Sequence, residues 1–321
     1  MHRRPLLAAL LAVPLAVVSP AAGWAEDVLK LAIGQRGNWE NSVSELGQDA
    51  GFFRKHGLTL EILYTEGGGQ TQQAVISGSV DLGIGVGTYG VIGAFGKGAP
   101  LRVIGNSMVG ARDLYWYVPA GSPIQAIKEA DGKSIAYSTI GSSTDLVVRG
   151  FQRVFKIHMT PVAAGSPAST FTQTMSGQID IGWASPPFGV EAVQAGRTRI
   201  VGRGSDVPEF ADQSVRVMIA NAGMLTRKSD QVDRYMAAYR ETLDWLYSDP
   251  AALEAYAKWA GVTPALARQV RDEFYPRSNM DPDRILGLAG LSQEAVGLKF
   301  LSAPLREDQL SNLVQNPKVQ K

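Results

Sequence analysis

The sequence predicts an α/β protein of two similarly built lobes, each a mostly parallel sheet flanked by helices. Apolar, strand-like runs alternate with amphipathic segments, which is typical of a sheet covered by helices. The segment at residues 74–84 recurs 99 positions later, at residues 173–183, which indicates a second lobe of like construction. With 321 residues, 45% hydrophobic and 19% charged, the chain has enough apolar material for two cores.

Residues 1–25 predict a cleaved secretory signal peptide. They begin with Arg3 and Arg4, continue as an apolar run and end in small residues, with cleavage expected after Ala25. The apolar run has about 14 residues, fewer than the roughly 20 that a membrane-spanning helix needs. We therefore expect a soluble periplasmic protein. It has no lipid anchor in this prediction, because the chain contains no Cys to acylate.

In the first lobe, strands and helices are predicted to alternate in chain order. The predicted elements are strand 29–33, helix 41–56, strand 58–64, helix 70–77 and strand 81–84. Val43, Leu46 and Phe53 recur at helical spacing, and Gly57 ends that helix. A further strand at 101–105 follows, and the chain from residue 229 onward is predicted to be mostly helical, with an amphipathic segment at 230–247.

The second lobe is predicted from the internal repeat. Ser77-Gly78 matches Ser176-Gly177, and Asp81-Leu82-Gly83 matches Asp180-Ile181-Gly182. The order of elements around the two copies also repeats, with strand 133–137, helix 142–155, strand 179–183 and strand 198–202 in the second. We assign residues 26–115 and 216–321 to lobe 1 and residues 116–215 to lobe 2. The paired aspartates are predicted to accept hydrogen bonds from turn N–H groups.

Ligands of open parallel sheets bind beyond the carboxyl ends of the strands, so two facing lobes predict a cleft. The cleft loops are 35–41, 66–70, 85–89, 138–144 and 183–188, and their Gly, Ser, Thr, Trp and Pro residues favour backbone N–H groups and stacking surfaces over acid–base groups. The candidate ligand-binding residues in them are Trp39, Gly68, Gly69, Gly87, Thr88, Ser138, Thr139, Gly141, Ser142, Ser143, Thr144, Trp183, Ser185 and Phe188.

Two kinds of contact are expected there. Ser142 or Ser143 caps a helix whose positive end favours an anion, although an ordinary capped helix has the same pattern. Trp39, Trp183 and Phe188 are candidates for stacking on a ring or apolar group, although such residues more often pack in a core.

Composition and motifs exclude other functions. Lys and Arg number 31 against 30 Asp and Glu, and without the two leader arginines the balance is 29 to 30, which argues against nucleic-acid binding. The absence of Cys, with His56 and His158 alone beyond the leader, predicts no metal site and no cofactor. Residues 85–90 fit G-x-G-x-x-G but follow two earlier strand–helix units, so we interpret them as a turn near a small ligand. No catalytic constellation is found.

The ordered motifs resemble the periplasmic solute-binding proteins of ABC importers, of the nitrate, sulfonate, taurine and thiamine-precursor type. The resembling segments are 50–58, 67–69, 77–83, 131–136, 141–143 and 176–180, and Asn38-Trp39-Glu40-Asn41 resembles the thiamine-precursor members. The resemblance implies a type II periplasmic binding protein fold, with two lobes joined by crossings near 114–119 and 215–220. It also implies capture of a small anionic or polar organic solute by hinge closure, a monomer, and docking on an inner-membrane ABC permease.

Three alternatives remain open at the level of sequence. They are an enzyme on the same fold, similar to a pyrimidine-precursor synthase, a solute sensor that signals to a membrane receptor, and the binding subunit of a transporter not driven by ATP. Turnover of a bound solute would distinguish the first from a binding protein.

Overall fold

The computed structural model describes residues 26–316, so the predicted signal peptide lies outside the described residues. The strands are β1 Asp27–Gly34, β2 Leu58–Thr65, β3 Leu82–Gly87, β4 Leu101–Val109, β5 Tyr115–Pro119, β6 Ser134–Tyr137, β7 Thr160–Ala163, β8 Gly182–Ala184, β9 Thr198–Arg203 and β10 Ser214–Asn221. The helices are α1 Trp39–Asp49, α2 Phe52–Lys55, α3 Gly68–Ile76, α4 Thr88–Gly96, α5 Ser143–Phe155, α6 Pro167–Met175, α7 Val190–Gln194, α8 Ala222–Ser248, α9 Pro250–Ala260, α10 Pro264–Phe274, α11 Leu288–Gly297 and α12 Glu307–Leu313.

The first lobe is built on a five-stranded sheet in the order β2-β1-β3-β10-β4. Strand β1 runs parallel to β2 and β3, whereas β10 runs antiparallel to β3 and β4. Helices α1 and α8 pack on one another beside this sheet. Because β1 and β3 end at the same edge, the loops that follow them lie next to each other.

The second lobe repeats this arrangement. Strands β6 and β7 are parallel, a parallel bridge joins Ile135 of β6 to Ile181 just before β8, and β8, β5 and β9 pair antiparallel. The resulting order, β7-β6-β8-β5-β9, matches the first lobe strand for strand, with β5 in the position of β10. The predicted two-lobe α/β fold with a duplicated architecture is therefore confirmed.

The matched aspartates of the repeat occupy equivalent places. Asp81 Oδ2 accepts from the Lys30 backbone N–H at 3.0 Å, and Asp180 Oδ2 accepts from the Ser134 backbone N–H at 2.9 Å. Both donors lie on the first strand of their lobe rather than in a turn, which corrects the predicted turn contact. The carboxylate thus joins the start of the third strand to the first strand in both lobes.

The chain changes sheets in two segments, 110–114 and 204–213. We expected the crossings near 114–119 and 215–220, but β5 belongs wholly to the second sheet and β10 wholly to the first. Both stretches are instead strands that pair with neighbours on either side within one sheet. The bounds of the two lobes remain a prediction.

Two predicted helices differ from the structure because of glycine. The segment predicted as one helix at 41–56 forms α1 and α2, separated at Gly51, whose φ of 86° ends the first helix. Helix α3 begins inside the Gly67-Gly68-Gly69 run, so Gly68 and Gly69 lie in its first turn and not in a loop. Glycine costs a helix little at its first turn, where the backbone N–H groups are unpaired anyway.

The buried apolar residues form three clusters. Trp116 is buried with Phe151 in the core shared by the second lobe and one face of the first sheet, while Tyr115 and Tyr117 face a smaller cluster on the other side of β5. Successive side chains of β5 therefore face opposite sides of its sheet. Helices α8, α9 and α10 cover the opposite face of the first sheet. Within residues 26–316, no helix combines the length and apolarity needed to cross a membrane.

Candidate functional site

A small polar cavity lies where the two lobes meet. Its volume is about 30 Å³, of the order of two water molecules. The residues that line it come from both lobes and are Gly34, Gln35, Asn38, Glu40, Asn41, Gly67, Gly68, Gly85, Asp113, Leu114, Ser138, Ser142, Ser143, Thr144, Trp183, Ser185 and Arg216. Strand ends and helix N-termini of both lobes therefore converge on one point, as the cleft prediction requires.

The lobes are closed on each other at this cavity. The Gly69 backbone N–H donates to Thr139 Oγ1 at 2.9 Å, and the Ser166 backbone N–H donates to Glu66 Oε2 at 3.1 Å. Glycine permits the approach, because a Cβ at position 87 would lie 2.2 Å from the Gly141 carbonyl oxygen. A solute larger than the cavity can enter only if these contacts open.

A buried charged cluster forms one wall. Arg216 on β10 donates from Nε to Glu40 Oε2 at 2.7 Å and from Nη2 to Asp113 Oδ2 at 2.8 Å. Glu40 lies at the start of α1, Asp113 lies in the segment between the sheets, and each is 1% exposed. A third donor, Nη1 of Arg216, reaches Ser143 Oγ of the second lobe at 3.3 Å. Each of the three guanidinium nitrogens thus has one hydrogen-bond partner, and Nη1 and Nη2 each carry a second N–H group.

The cluster shifts the acidity of its members in a consistent direction. Burial raises the pKa of Glu40 to about 7, and the Arg216 charge only partly offsets this. Burial acts to lower the pKa of Arg216, but the Asp113 and Glu40 carboxylates outweigh it and raise that pKa above its usual value. The arginine therefore stays charged, while Glu40 exchanges its proton near neutral pH.

Four buried polar atoms of residues that line the cavity have no hydrogen-bond partner. They are Glu40 Oε1, Asn41 Oδ1, Asp113 Oδ1 and Trp183 Nε1. Buried polar groups without a partner are uncommon in folded proteins, because each costs about 1–3 kcal/mol. Three acceptors and one donor on one cavity indicate a place where a ligand supplies the missing partners.

The helix N-terminus predicted to bind an anion is already complemented by the chain itself. Ser142 caps α5 by accepting from the Asp145 backbone N–H at 3.3 Å, as the sequence predicted. The fully buried Asp145 carboxylate accepts from the Gly141 backbone N–H at 3.1 Å and from Arg149 Nε at 2.8 Å. The Tyr89 hydroxyl also donates to it. Negative charge at the positive end of this helix thus comes from its own first turn.

The structure divides the fourteen predicted site residues among several places. Half of them line the cavity, namely Gly68, Ser138, Ser142, Ser143, Thr144, Trp183 and Ser185. Five others lie at contacts around the cavity: Gly69 and Thr139 bond each other, Gly87 faces Gly141, and Phe188 packs on Gly37. Thr88 donates to the Ser214 carbonyl. Their role in binding remains a prediction.

Trp39 is the clearest correction. It is 0% exposed, and its indole Nε1 donates to the Tyr247 hydroxyl at 3.0 Å, while its ring packs edge-on against Tyr256 with centroids 4.6 Å apart. Because α1 begins at this residue, the side chain turns into the core of the first lobe, away from the cavity.

Sequence reasoning missed the charged wall of the cavity, formed by Glu40, Asp113 and Arg216. The cleft loops were expected to offer backbone N–H groups and stacking surfaces, and one of them also contributes the Glu40 carboxylate to the cavity wall. One signal was available: Arg216 is the only charged residue in the strand Ser214–Asn221, which is otherwise largely apolar. A charge in such a strand must meet a counter-charge when it is buried.

Comparison with known proteins agrees with this fold. A family model described as NMT1/THI5 like matches residues 45–253, more than half of the chain. The alkanesulfonate-binding protein SsuA from Xanthomonas axonopodis pv. citri is similar in structure, with a TM-score of 0.69 and 19% identity over 90% of this chain and 98% of that one. No curated protein sequence is detectably similar to the chain.

Two further structures are similar over comparable lengths. The periplasmic aliphatic sulphonate binding protein SsuA from Escherichia coli has a TM-score of 0.67 and 18% identity, covering 90% of this chain and 92% of that one. The desulfurization enzyme DszB has a TM-score of 0.63 and 17% identity, covering 92% and 98%. At these identities the similarity shows a shared fold, which both binding proteins and an enzyme have adopted.

Proposed function

We propose, since the chain belongs to the NMT1/THI5-like family, that it is the solute-binding component of an ABC import system. It captures a small polar or anionic organic solute between its lobes and presents it to a permease in the inner membrane. The observation that carries this proposal is the cavity at the lobe junction, which both lobes line and which holds four buried polar atoms without partners.

Capture by closure follows from how the chain connects the lobes. Within residues 26–316 the chain passes between the two sheets only in the segments 110–114 and 204–213, so rotation about them separates the cleft walls without disturbing either sheet. Closing places a solute against polar atoms of both lobes and removes it from water, which favours the closed state in proportion to the contacts it adds. Only a solute that satisfies those atoms gains the full stabilisation.

Three observations support the remaining parts of the proposal. Two proteins of similar structure are sulfonate-binding proteins, and one of them is periplasmic. The basic and apolar pattern of residues 1–25 predicts export. The chain carries almost equal numbers of basic and acidic residues, and no helix among the described residues is long and apolar enough to cross a membrane. Both observations are compatible with diffusion to a membrane partner.

A distance measurement between the lobes tests the proposal. The chain has no Cys, so Asp49→Cys and Lys128→Cys place one dye on an exposed position of each lobe. We expect a solute from a panel of small polar and ionic compounds to shorten the mean dye distance and to raise the melting temperature. A solute at a hundred times its Kd stabilises the folded protein by about 2.7 kcal/mol. A panel that changes neither quantity would refute solute capture.

The same samples separate a binding protein from an enzyme. An enzyme on this fold would convert the solute that closes the lobes, whereas a binding protein returns it unchanged. Chromatography of the solute after prolonged incubation distinguishes the two outcomes. We expect quantitative recovery.

A further inference from the structure

We propose that the cleft selects a small organic cation whose ammonium or amidinium group donates to Glu40, Asn41 and Asp113, rather than a sulfonate or another simple anion. This inference rests on the proposed solute-binding function and specifies its ligand. It is drawn from the charges and the unpartnered atoms that this chain places on the cavity wall.

The charges on the cavity wall favour a cation. Glu40 and Asp113 are the two carboxylates among the residues that line the cavity, and Arg216 is the one basic side chain among them. Each carboxylate gives one oxygen to Arg216 and keeps the other, Oε1 of Glu40 and Oδ1 of Asp113, without a partner. With both carboxylates ionised, the wall carries one uncompensated negative charge in a site of low dielectric.

The charge of Arg216 is already balanced by two buried carboxylates. Its Nε, Nη1 and Nη2 atoms contact Glu40, Ser143 and Asp113, at 2.7, 3.3 and 2.8 Å respectively. A sulfonate at this wall would meet the excess negative charge of the two carboxylates, and if it displaced one of them from Arg216, that carboxylate would lack its counter-charge. Breaking a buried ion pair in this way typically costs about 3–5 kcal/mol.

The unpartnered acceptors converge beside Gly85. A Cβ built on that residue would lie 2.9 Å from Asn41 Oδ1 and 3.6 Å from Glu40 Oε1. Gly85 has a φ of 72°, and it lines the cavity from within β3. Two acceptor oxygens around one glycine leave room for the N–H groups of a nitrogen cation, whose multiple donors match several acceptors at once.

The single unpartnered donor completes the description of the ligand. Trp183 is 2% exposed, lines the cavity from the second lobe, and its Nε1 has no partner. Its indole offers one N–H to an acceptor atom on the ligand and a ring face of the kind that attracts cations. Burial raises the pKa of Glu40 to about 7, and a cation bound beside its Oε1 atom would lower that pKa again.

Matched probes of opposite charge test the inference. Acetamidinium is compared with methanesulfonate, and benzamidinium with benzenesulfonate, by calorimetry on the mature chain at pH 8, where Glu40 is ionised. We expect each amidinium to bind at least about tenfold more tightly than its sulfonate counterpart, which corresponds to about 1.4 kcal/mol. Glu40→Gln should then abolish most of this preference.

Glu45→Gln is the matched control. Glu45 lies on the same helix, pairs with Arg36 at 3.3 Å on the outer surface, and does not line the cavity. We expect this variant to keep the preference for amidinium. The comparison of probes on the unaltered chain decides the question even if Glu40→Gln does not fold.

The outcomes separate this inference from the proposed function. Tighter binding of the sulfonates overturns the inference and leaves solute capture intact. If no amidinium binds while an anionic or neutral compound of the wider panel closes the lobes, the inference is again overturned. If neither these probes nor any panel compound binds, both fail. A selective amidinium response that is lost in Glu40→Gln and kept in Glu45→Gln supports both.

Discussion

Nη2 of Arg216 lies 2.8 Å from Oδ2 of Asp113, and this contact joins a strand of the first sheet to the segment through which the chain leaves that sheet. The same guanidinium holds Glu40 at the start of α1. One buried cation therefore fixes three parts of the chain at the junction where the lobes must move. It also determines which charges a solute meets there.

Replacing Arg216 should destabilise the protein strongly. Arg216→Met leaves two carboxylates, each 1% exposed, without their counter-charge, and we expect a loss of about 3–5 kcal/mol in the free energy of unfolding. Urea denaturation at pH 7 measures it. Arg306→Met is the control, because its pair with Asp308 is exposed, and its denaturation midpoint should not move. A small loss for Arg216→Met would contradict the buried cluster.

The stability of the solute-free protein should depend on pH through Glu40. Burial raises the pKa of this carboxyl from 4.5 to about 7, so between these values the folded chain retains a proton that the unfolded chain has released. Its contribution is therefore present at low pH and lost as the pH rises through this window.

The comparison with Glu40→Gln isolates this effect from other titrating groups. The charged or titratable side chains that act on Glu40 or contact its cluster are Arg216, Asp113, Tyr239 and Tyr275. From pH 5 to pH 8 we expect the unaltered chain to lose up to about 3 kcal/mol relative to the variant. Urea denaturation at both pH values checks this. Parallel pH profiles for the two proteins would rule out a buried, titrating Glu40.

A methyl group at Gly85 should block solute binding. In Gly85→Ala the added Cβ lies 2.9 Å from Asn41 Oδ1, at the acceptors that we assign to the ligand. Gly78→Ala is a close control, because Gly78 has a φ of 74° against 72° for Gly85 and no atom within 4 Å of the added Cβ. Both variants should lose about 1–2 kcal/mol of stability from the left-handed backbone. Only Gly85→Ala should weaken solute binding in calorimetry. An equal loss of affinity in both would contradict the site.

A side chain at Gly87 should hold the lobes apart. Gly87→Ala brings a Cβ to 2.2 Å from the Gly141 carbonyl oxygen of the opposite lobe, a separation that requires the backbones to move. We expect a longer dye distance between positions 49 and 128 in the presence of solute, and a weaker affinity. Gly121→Ala, where the added Cβ has no neighbour within 4 Å, should close normally. Normal closure of Gly87→Ala would show that this contact is not part of the closed state.

Two tryptophans should separate stability from binding. Trp39→Ala removes a side chain that is 0% exposed from the core of the first lobe, and we expect a loss of about 3–5 kcal/mol in the free energy of unfolding. Trp183→Phe removes the unpartnered Nε1 from the cavity. This variant should fold with nearly unchanged stability and bind the solute more weakly. Denaturation and calorimetry on both variants check the contrast. If Trp39→Ala weakened binding and kept its stability, Trp39 would have to be assigned to the cleft.

Local patterns were sufficient to predict most elements of the fold. The apolar run at 29–33 became β1, and helix 142–155 became α5 with its Ser142 cap, because side-chain periodicity and capping act within a few residues. The break at Gly51 was missed, because apolar spacing continues across it while the backbone does not. The antiparallel strand β10 was taken for a crossing, because pairing between distant strands leaves no local mark.

The sequence by itself determined the duplicated α/β architecture, since the repeated segments around Asp81 and Asp180 specify the same strand and helix order twice. It also determined that both lobes direct polar loops toward one cleft. Only the tertiary structure decided the chemistry of that cleft. Glu40, Asp113 and Arg216 are separated by up to 176 positions in the chain, and they meet because two sheets and one linking segment fold around them. Which of their oxygens remain without a partner depends on that packing.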